Sequence, residues 1–161
     1  MATTTTFALI RDETVANIKA ITPNKLSDKL FDRCPRRYTL RAWATEQAAN
    51  SSCFRKFEVV RGGGEEPPDL DPTSFKRNEI MLVSVAYPVL PTLYGTEELE
   101  DMRDIIRRDA ADIRDVVFSS GNYLAGQSAA LPLGMDPPEE GDVWFQTLRF
   151  QLIYQESQTL T

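Results

Sequence analysis

Histidine is absent from the 161 residues of the chain. With it go the Ser-His and Cys-His nucleophile pairs and the commonest metal ligand in proteins, so hydrolytic triads of the usual kind are excluded. Cysteine is scarce. Cys34 and Cys53, the only two, make neither a disulfide framework nor a zinc-binding pattern, and both are expected as free thiols. Positive charge is in deficit: 18 Lys and Arg stand against 24 Asp and Glu, a net charge of -6 with a pI near 4.8. Such a chain offers no basic field to neutralise phosphate, which disfavours specific nucleic-acid binding. Long apolar runs are missing too. No window approaches the roughly 18 to 20 apolar residues that span a bilayer, and the opening MATTTTFALIRDE has neither a basic start nor a long apolar core. A cytosol-like place of synthesis and no membrane partner are therefore expected. Internal repeats and low-complexity tracts are also lacking.

What is present is a chain of one-domain length with 42% hydrophobic and 26% charged residues, enough to fold around an ordinary core. Its organising stretch is Glu97 to Phe118, where Leu99, Met102, Ile105, Ile106, Ile113, Val116 and Val117 recur at three- and four-residue steps. That spacing predicts one amphipathic helix of about six turns. Thr96 stands at the N-cap position, and Glu97, Glu98, Glu100 and Asp101 meet the positive end of the helix dipole. Glu79 to Tyr87 before it and Val143 to Tyr154 after it read as strands. In the second, Trp144, Leu148, Phe150, Leu152 and Tyr154 alternate with Phe145, Thr147, Arg149, Gln151 and Ile153. Helix laid on sheet is the simplest core for this set, an α+β fold with a mostly antiparallel sheet.

The remaining segments follow in order. Thr6 to Ala20 predicts an N-terminal helix closed by Thr22-Pro23-Asn24, with a further helical turn or two in Lys25 to Phe31. Tyr38 to Ala49 fits helix by composition and strand by its leading alternation, and both stay open. Phe54 to Arg61 reads as a strand. Residues 62 to 72 combine three glycines, three prolines and four acids, so they are expected as a long solvated loop. Asn122 to Asp142, punctuated by Pro132, Gly134, Pro137, Pro138 and Gly141, is expected as a second one.

Candidates for chemistry thin out under weighing. Gly62-Gly63-Gly64 precedes glutamates and prolines instead of a helix and a lysine, which is unlike a phosphate cradle. Asp101, Asp104, Asp109, Asp112 and Asp115 on the long helix could be drawn as a metal site or an acid/base pair. Arg103, Arg107, Arg108 and Arg114 interleave with them, so ordinary pairs such as Asp104 with Arg107 or Arg108, and Arg108 with Asp112, explain the acids better. Trp144, Phe145, Phe150 and Tyr154 read as core and interface, since no cationic cluster accompanies them. No cofactor is indicated. A binding or structural module is the outcome.

The later half, in order, runs VAYPV at the end of a strand, LYG in a connector, the acidic helix MRDIIRRDAADIRDVV, a Gly-Asn break and a final WFQTLRFQLIYQE. This arrangement, over about Ile80 to Glu156, resembles the tail-terminator (tail-completion) proteins of long-tailed bacteriophages. The segment 22 to 53 is longer than in the smaller members of that family, and the loop at 62 to 72 more acidic and proline-rich. The resemblance implies a non-enzymatic virion protein, assembled in the host cytoplasm, with helices against one side of its sheet. It implies a hexameric ring on the head-proximal end of the tail tube that ends polymerisation and then joins the head. The partners would be other copies of the chain, the tail tube protein and a head-closure or neck protein, with DNA passing through the lumen. Candidate ring contacts are Arg103, Arg107 and Arg114 on the helix and Phe145, Arg149 and Gln151 on the last strand. The loop residues Gly62, Gly63, Gly64, Glu65, Glu66, Asp69 and Asp71 are candidates for touching a neighbouring subunit or the tube. The alternative readings are another phage neck protein, a carboxylate-dependent metalloenzyme, and a small-molecule or peptide binder.

Overall fold

The computed structural model describes residues 4–22, 30–36, 38–46, 54–62, 76–89 and 99–156. Helix α1 spans Phe7–Lys19, strand β1 Asp32–Arg33, helix α2 Leu40–Glu46, strands β2 and β3 Lys56–Arg61 and Lys76–Pro88, helix α3 Leu99–Phe118, and strands β4 and β5 Gln127–Met135 and Val143–Gln155. The strands form one sheet in the order β1-β2-β3-β5-β4. Among the described strands β1 and β2 pair parallel and the other neighbouring pairs are antiparallel. This is a single α+β domain.

The central pair, β3 with β5, runs in unbroken register from Lys76 opposite Gln155 to Pro88 opposite Val143. Its alternation decides the layers. Met81, Val83, Val85 and Tyr87 of β3 and Trp144, Leu148, Phe150, Leu152 and Tyr154 of β5 are buried on one face, because a pleated strand sends every second side chain the same way. There they meet Ile10 and Ile18 of α1 and Ile105, Ile106 and Ile113 of α3 in one apolar cluster. Burying each such side chain contributes about 1.5–3 kcal/mol relative to leaving it in water. Helix α1 starts where Thr6 accepts a hydrogen bond from the Leu9 N–H at 3.3 Å. The one polar residue buried in its apolar stripe, Thr14, donates its hydroxyl to the Ile10 carbonyl at 2.8 Å.

Three expectations change. Asn122 to Asp142 is not one long loop: a short 3-10 turn at Ser120–Asn122 leads into β4, which pairs with β5 at the sheet edge. Its Pro132 and Gly134 are tolerated because an edge strand needs ladder donors on one side only, and the register shifts between Gln127 and Ala129 and between Pro132 and Gly134. Gly134 itself sits at φ 131°, a conformation that only glycine adopts without strain. Within the open segment at 38 to 49, Leu40–Glu46 forms α2 with Leu40 and Ala44 buried, and residues 47 to 49 lie outside the described residues. The helices are not confined to one side either. α2 packs with Cys34, Ala86, Val143 and Phe145, a separate small cluster whose β3 and β5 members alternate with those of the main core and so lie on the opposite face. Leu30 and Phe31 are not helical; the rest of the expected turn, Thr96, Glu97 and Glu98, and the loop residues from Gly63 on lie outside the described residues. So does Cys53, whereas Cys34 is a buried free thiol.

Candidate functional site: a groove along the long helix and the edge strand

Helix α3 packs against both β5 and the edge strand β4, whose Leu131, Leu133 and Met135 stay exposed. Between α3 and β4 runs a groove of about 480 Å³ lined by Ala110, Ala111, Pro132, Leu133, Met135, Leu148 and Phe150, with Arg107, Arg114 and Arg149 among its walls. A second hollow of about 350 Å³ continues it past Arg103, Ile106, Met135, Pro137, Pro138 and Glu140. Leu133 and Met135 are half exposed, at 50% and 49%, and Leu131 is exposed on the same strand. Clustered apolar side chains on a sheet edge mark an interaction surface more often than isolated ones do.

The helix arginines are held loosely. Arg107 bonds Asp104 at 2.8 Å and Arg108 reaches the same carboxylate at 3.9 Å, as expected for neighbours three and four residues apart. Arg114 approaches Asp115 at 3.9 Å, and Arg149 bonds Asp136 at 3.2 Å. Exposed pairs of this kind contribute about 0–1 kcal/mol, so a partner's carboxylates can replace them at little cost.

Of the six ring-contact candidates, Arg107 and Arg114 line this groove from the helix, and Arg149 lines it where β5 passes between Leu148 and Phe150, in the strand row that alternates to the opposite sheet face. Arg103 lies beside it, bonding Glu100 and Glu140 while its guanidinium stacks 5.4 Å from the Trp144 ring centre. Phe145 and Gln151 share the opposite sheet face. Phe145 is half-buried against the α2 cluster with the Arg41 guanidinium 4.6 Å from its ring centre, which leaves it less surface to offer a neighbour. Gln151 donates to Asn78 at 2.8 Å. Of the loop candidates only Gly62 is described. Its N–H donates to the Ile80 carbonyl at 2.8 Å, and a Cβ there would sit 2.9 Å from Ile80 Cγ2, so the hairpin base needs glycine.

Between α3 and the β2–β3 side of the sheet lies a feature the spacing of the helix acids conceals. Asp109 is 1% exposed and takes a bidentate ion pair from Arg55, itself fully buried: Nε to Oδ2 at 2.7 Å and Nη2 to Oδ1 at 2.8 Å. The Tyr87 hydroxyl donates to the same Oδ2 at 2.9 Å. Asp109 is therefore no part of a solvated helix face, and its carboxylate is committed to Arg55 and Tyr87, not to Asp112 and a metal. Burial pushes its carboxyl above the ordinary range, while the Arg55 and Tyr87 hydrogen bonds pull the other way. Arg55 stacks within 5.3 Å of the Phe31 and Phe54 ring centres and adopts φ 58°, a left-handed conformation costly for a long side chain. Its N–H donates to the Ala86 carbonyl and its own carbonyl accepts from the Asp32 N–H. Strand edge, central strand and long helix are thus tied at one point. A signal was available: Asp109 falls three residues after Ile106 and four before Ile113, inside the apolar stripe.

Among the described residues, no group of three or more Cys, Asp or Glu side chains could hold a metal ion, and no helix is long and apolar enough to cross a membrane. No protein-family model and no curated protein matches the chain.

Proposed function

We propose that the chain is a structural bacteriophage protein of the tail-terminator kind, a non-enzymatic ring subunit that caps the head-proximal end of the tail tube and then presents a joining surface to the neck. The observation that carries the reading is the open groove between α3 and β4, where Arg107 and Arg114 flank an apolar floor. A surface of that chemistry on one side of a protomer suits a head-to-tail contact, and head-to-tail contacts close into rings. Capping then needs no reaction: one rim of the ring pairs with the growing face of the tube, the other does not resemble it, and addition stops. The acidic balance supports the same reading passively, since a lumen that passes DNA must not retain phosphate.

The test is polymerisation of purified tube protein with and without this chain, with tube lengths read by negative-stain microscopy. Tubes that stop growing and carry a ring at one end support the terminator. Unlimited tubes, with the chain attached instead to a portal complex, favour the head-closure or adaptor reading.

A further inference from the structure

Helix α1 is apolar on two sides. Phe7, Ile10, Val15 and Ile18 are buried in the main core, yet Ala8, Leu9 and Ala16 are exposed on the solvent side, Leu9 at 54%. A surface helix that covers only the core turns polar residues outward. At ~100° per residue Leu9 and Ala16 fall on one line along the outer surface, with Asp12 about 50° to one side of it and Glu13 about 50° to the other. The outward face is an apolar ridge with an acid on each flank. The groove has the complementary arrangement. Arg107 and Arg114 stand two turns apart on α3, about 10 Å, which is close to the width of a helix with its side chains. Ala110 and Ala111 make a notch between them, and no carboxylate is among the described residues that line the groove. Strand addition at β4 is poorly provided for: Pro132 has no N–H, and the Ala130 N–H already donates to the Tyr123 hydroxyl at 3.0 Å.

We propose that the α3–β4 groove receives helix α1 of a second copy of this chain, laid across α3 with the Leu9–Ala16 ridge in the notch at Ala110 and Ala111, and with Asp12 and Glu13 meeting the two flanking arginines. The same chain's α1 is excluded, because its inner face is fixed in the core against α3, β1 and β2. Charge selects this face among the exposed apolar residues outside the groove. Leu30, Tyr38, Val60 and Phe118 are exposed as well, but Arg33, Arg41, Arg61 and Arg114 follow or precede them within four residues and would bring positive charge to a positive groove. Val89 is a single residue beyond the end of β3. Arg11, two residues from Leu9, falls about 200° round the helix from it. Arg11 bonds Asp12 at 3.0 Å and Arg33 reaches the same carboxylate at 4.0 Å, exposed pairs that a neighbour's arginine can replace at little cost. The inference rests on the ring reading and deepens it by naming both halves of the subunit contact. Because the two surfaces differ, each copy offers one and receives the other, and the contact propagates from copy to copy until the ring closes.

The experiment measures native mass for two surface variants, Asp12→Lys/Glu13→Lys and Arg107→Glu/Arg114→Glu, with melting curves to verify that each folds. Each alone should lower the assembled fraction at least tenfold. The four changes joined in one chain should recover most of it, and so should a 1:1 mixture of the two variants, in which every contact between unlike copies joins opposite charges and the rings hold equal numbers of both. Assembly lost in the groove variant but kept in the α1 variant would give the groove a different occupant and overturn the proposal while sparing the ring. Recovery in neither the joined chain nor the mixture would overturn it as well. Failure of the unmodified chain to form rings at any concentration would remove both the ring and this contact. As a check independent of charge, Leu9→Cys paired with Leu133→Cys in a Cys34→Ala, Cys53→Ala background should give a reducible ladder of dimers and higher species on mild oxidation, which neither single cysteine variant gives. Disulfides confined to monomers, or rings by mass without the disulfide, would contradict the seating of α1.

Discussion

Removing one member of the Arg55–Asp109 pair should be among the most damaging single changes this fold can suffer. Both side chains are out of contact with water, at 0% and 1% exposure, and they meet through two hydrogen bonds of 2.7 and 2.8 Å. Asp109→Leu leaves the guanidinium buried without its carboxylate, and Arg55→Met leaves the carboxylate buried without its bidentate partner. Each should cost about 3–5 kcal/mol. That is a large part of the 5–15 kcal/mol typical of a whole domain, and for a chain of this length it corresponds to a fall in Tm of roughly 6–20 °C. The double variant Arg55→Met/Asp109→Leu removes both charges and fills the space with apolar atoms, so it should lie well above either single variant. Chemical denaturation followed by circular dichroism supplies the four stabilities, and the cycle isolates the coupling. A coupling below about 1 kcal/mol, or a double variant no better than the singles, would refute the claim that this pair fastens α3 to the sheet.

Three further outcomes follow from the same geometry. Ile106→Asp and Phe150→Asp each put a charge into the main core, where both residues are at most 1% exposed, and should abolish soluble expression; Arg103→Ala on the exposed side should shift the melting midpoint by only a degree or two. Burial pushes the Asp32 carboxyl up, but the hydrogen bond and charge of Lys56, with the Arg33 N–H and Lys19, outweigh it and hold the group below its ordinary value. Its stabilising contribution is therefore complete above the ordinary carboxylate range and lost as pH falls through the folded value, so Asp32→Asn should flatten that part of an acid titration of stability. Arg107→Glu with Arg114→Glu should leave the monomer's melting curve close to wild type while weakening assembly in analytical ultracentrifugation, because both side chains lie outside the core.

Periodicity made most of this fold legible. α1, α3, β3 and β5 each carry a stripe or an alternation long enough to identify, and all five alternating apolar residues of β5 are buried, with Gln146 buried in the same row and Val143 against α2. β4 was hidden by its own composition. Pro132 and Gly134 argue against a strand in the middle of a sheet, and only the edge position, which sequence does not disclose, makes them acceptable. α2 is a seven-residue helix whose burial depends on Ala86 and Val143 from distant parts of the chain, so local preference could not settle it. The Arg55–Asp109 pair joins residues 54 positions apart. The helix arginines three and four residues from other acids offered a sufficient local explanation, which masked the one acid inside the apolar stripe. The groove was half legible: its arginines stood out as unneeded by the core, but its floor depends on β4.

The most direct test of the ring is native mass spectrometry of the purified chain across a range of concentrations. Six copies of the 18.2 kDa chain, about 109 kDa, as a closed species that does not grow further is the expected result. A monomer throughout, or open-ended oligomers without a dominant stoichiometry, would contradict it.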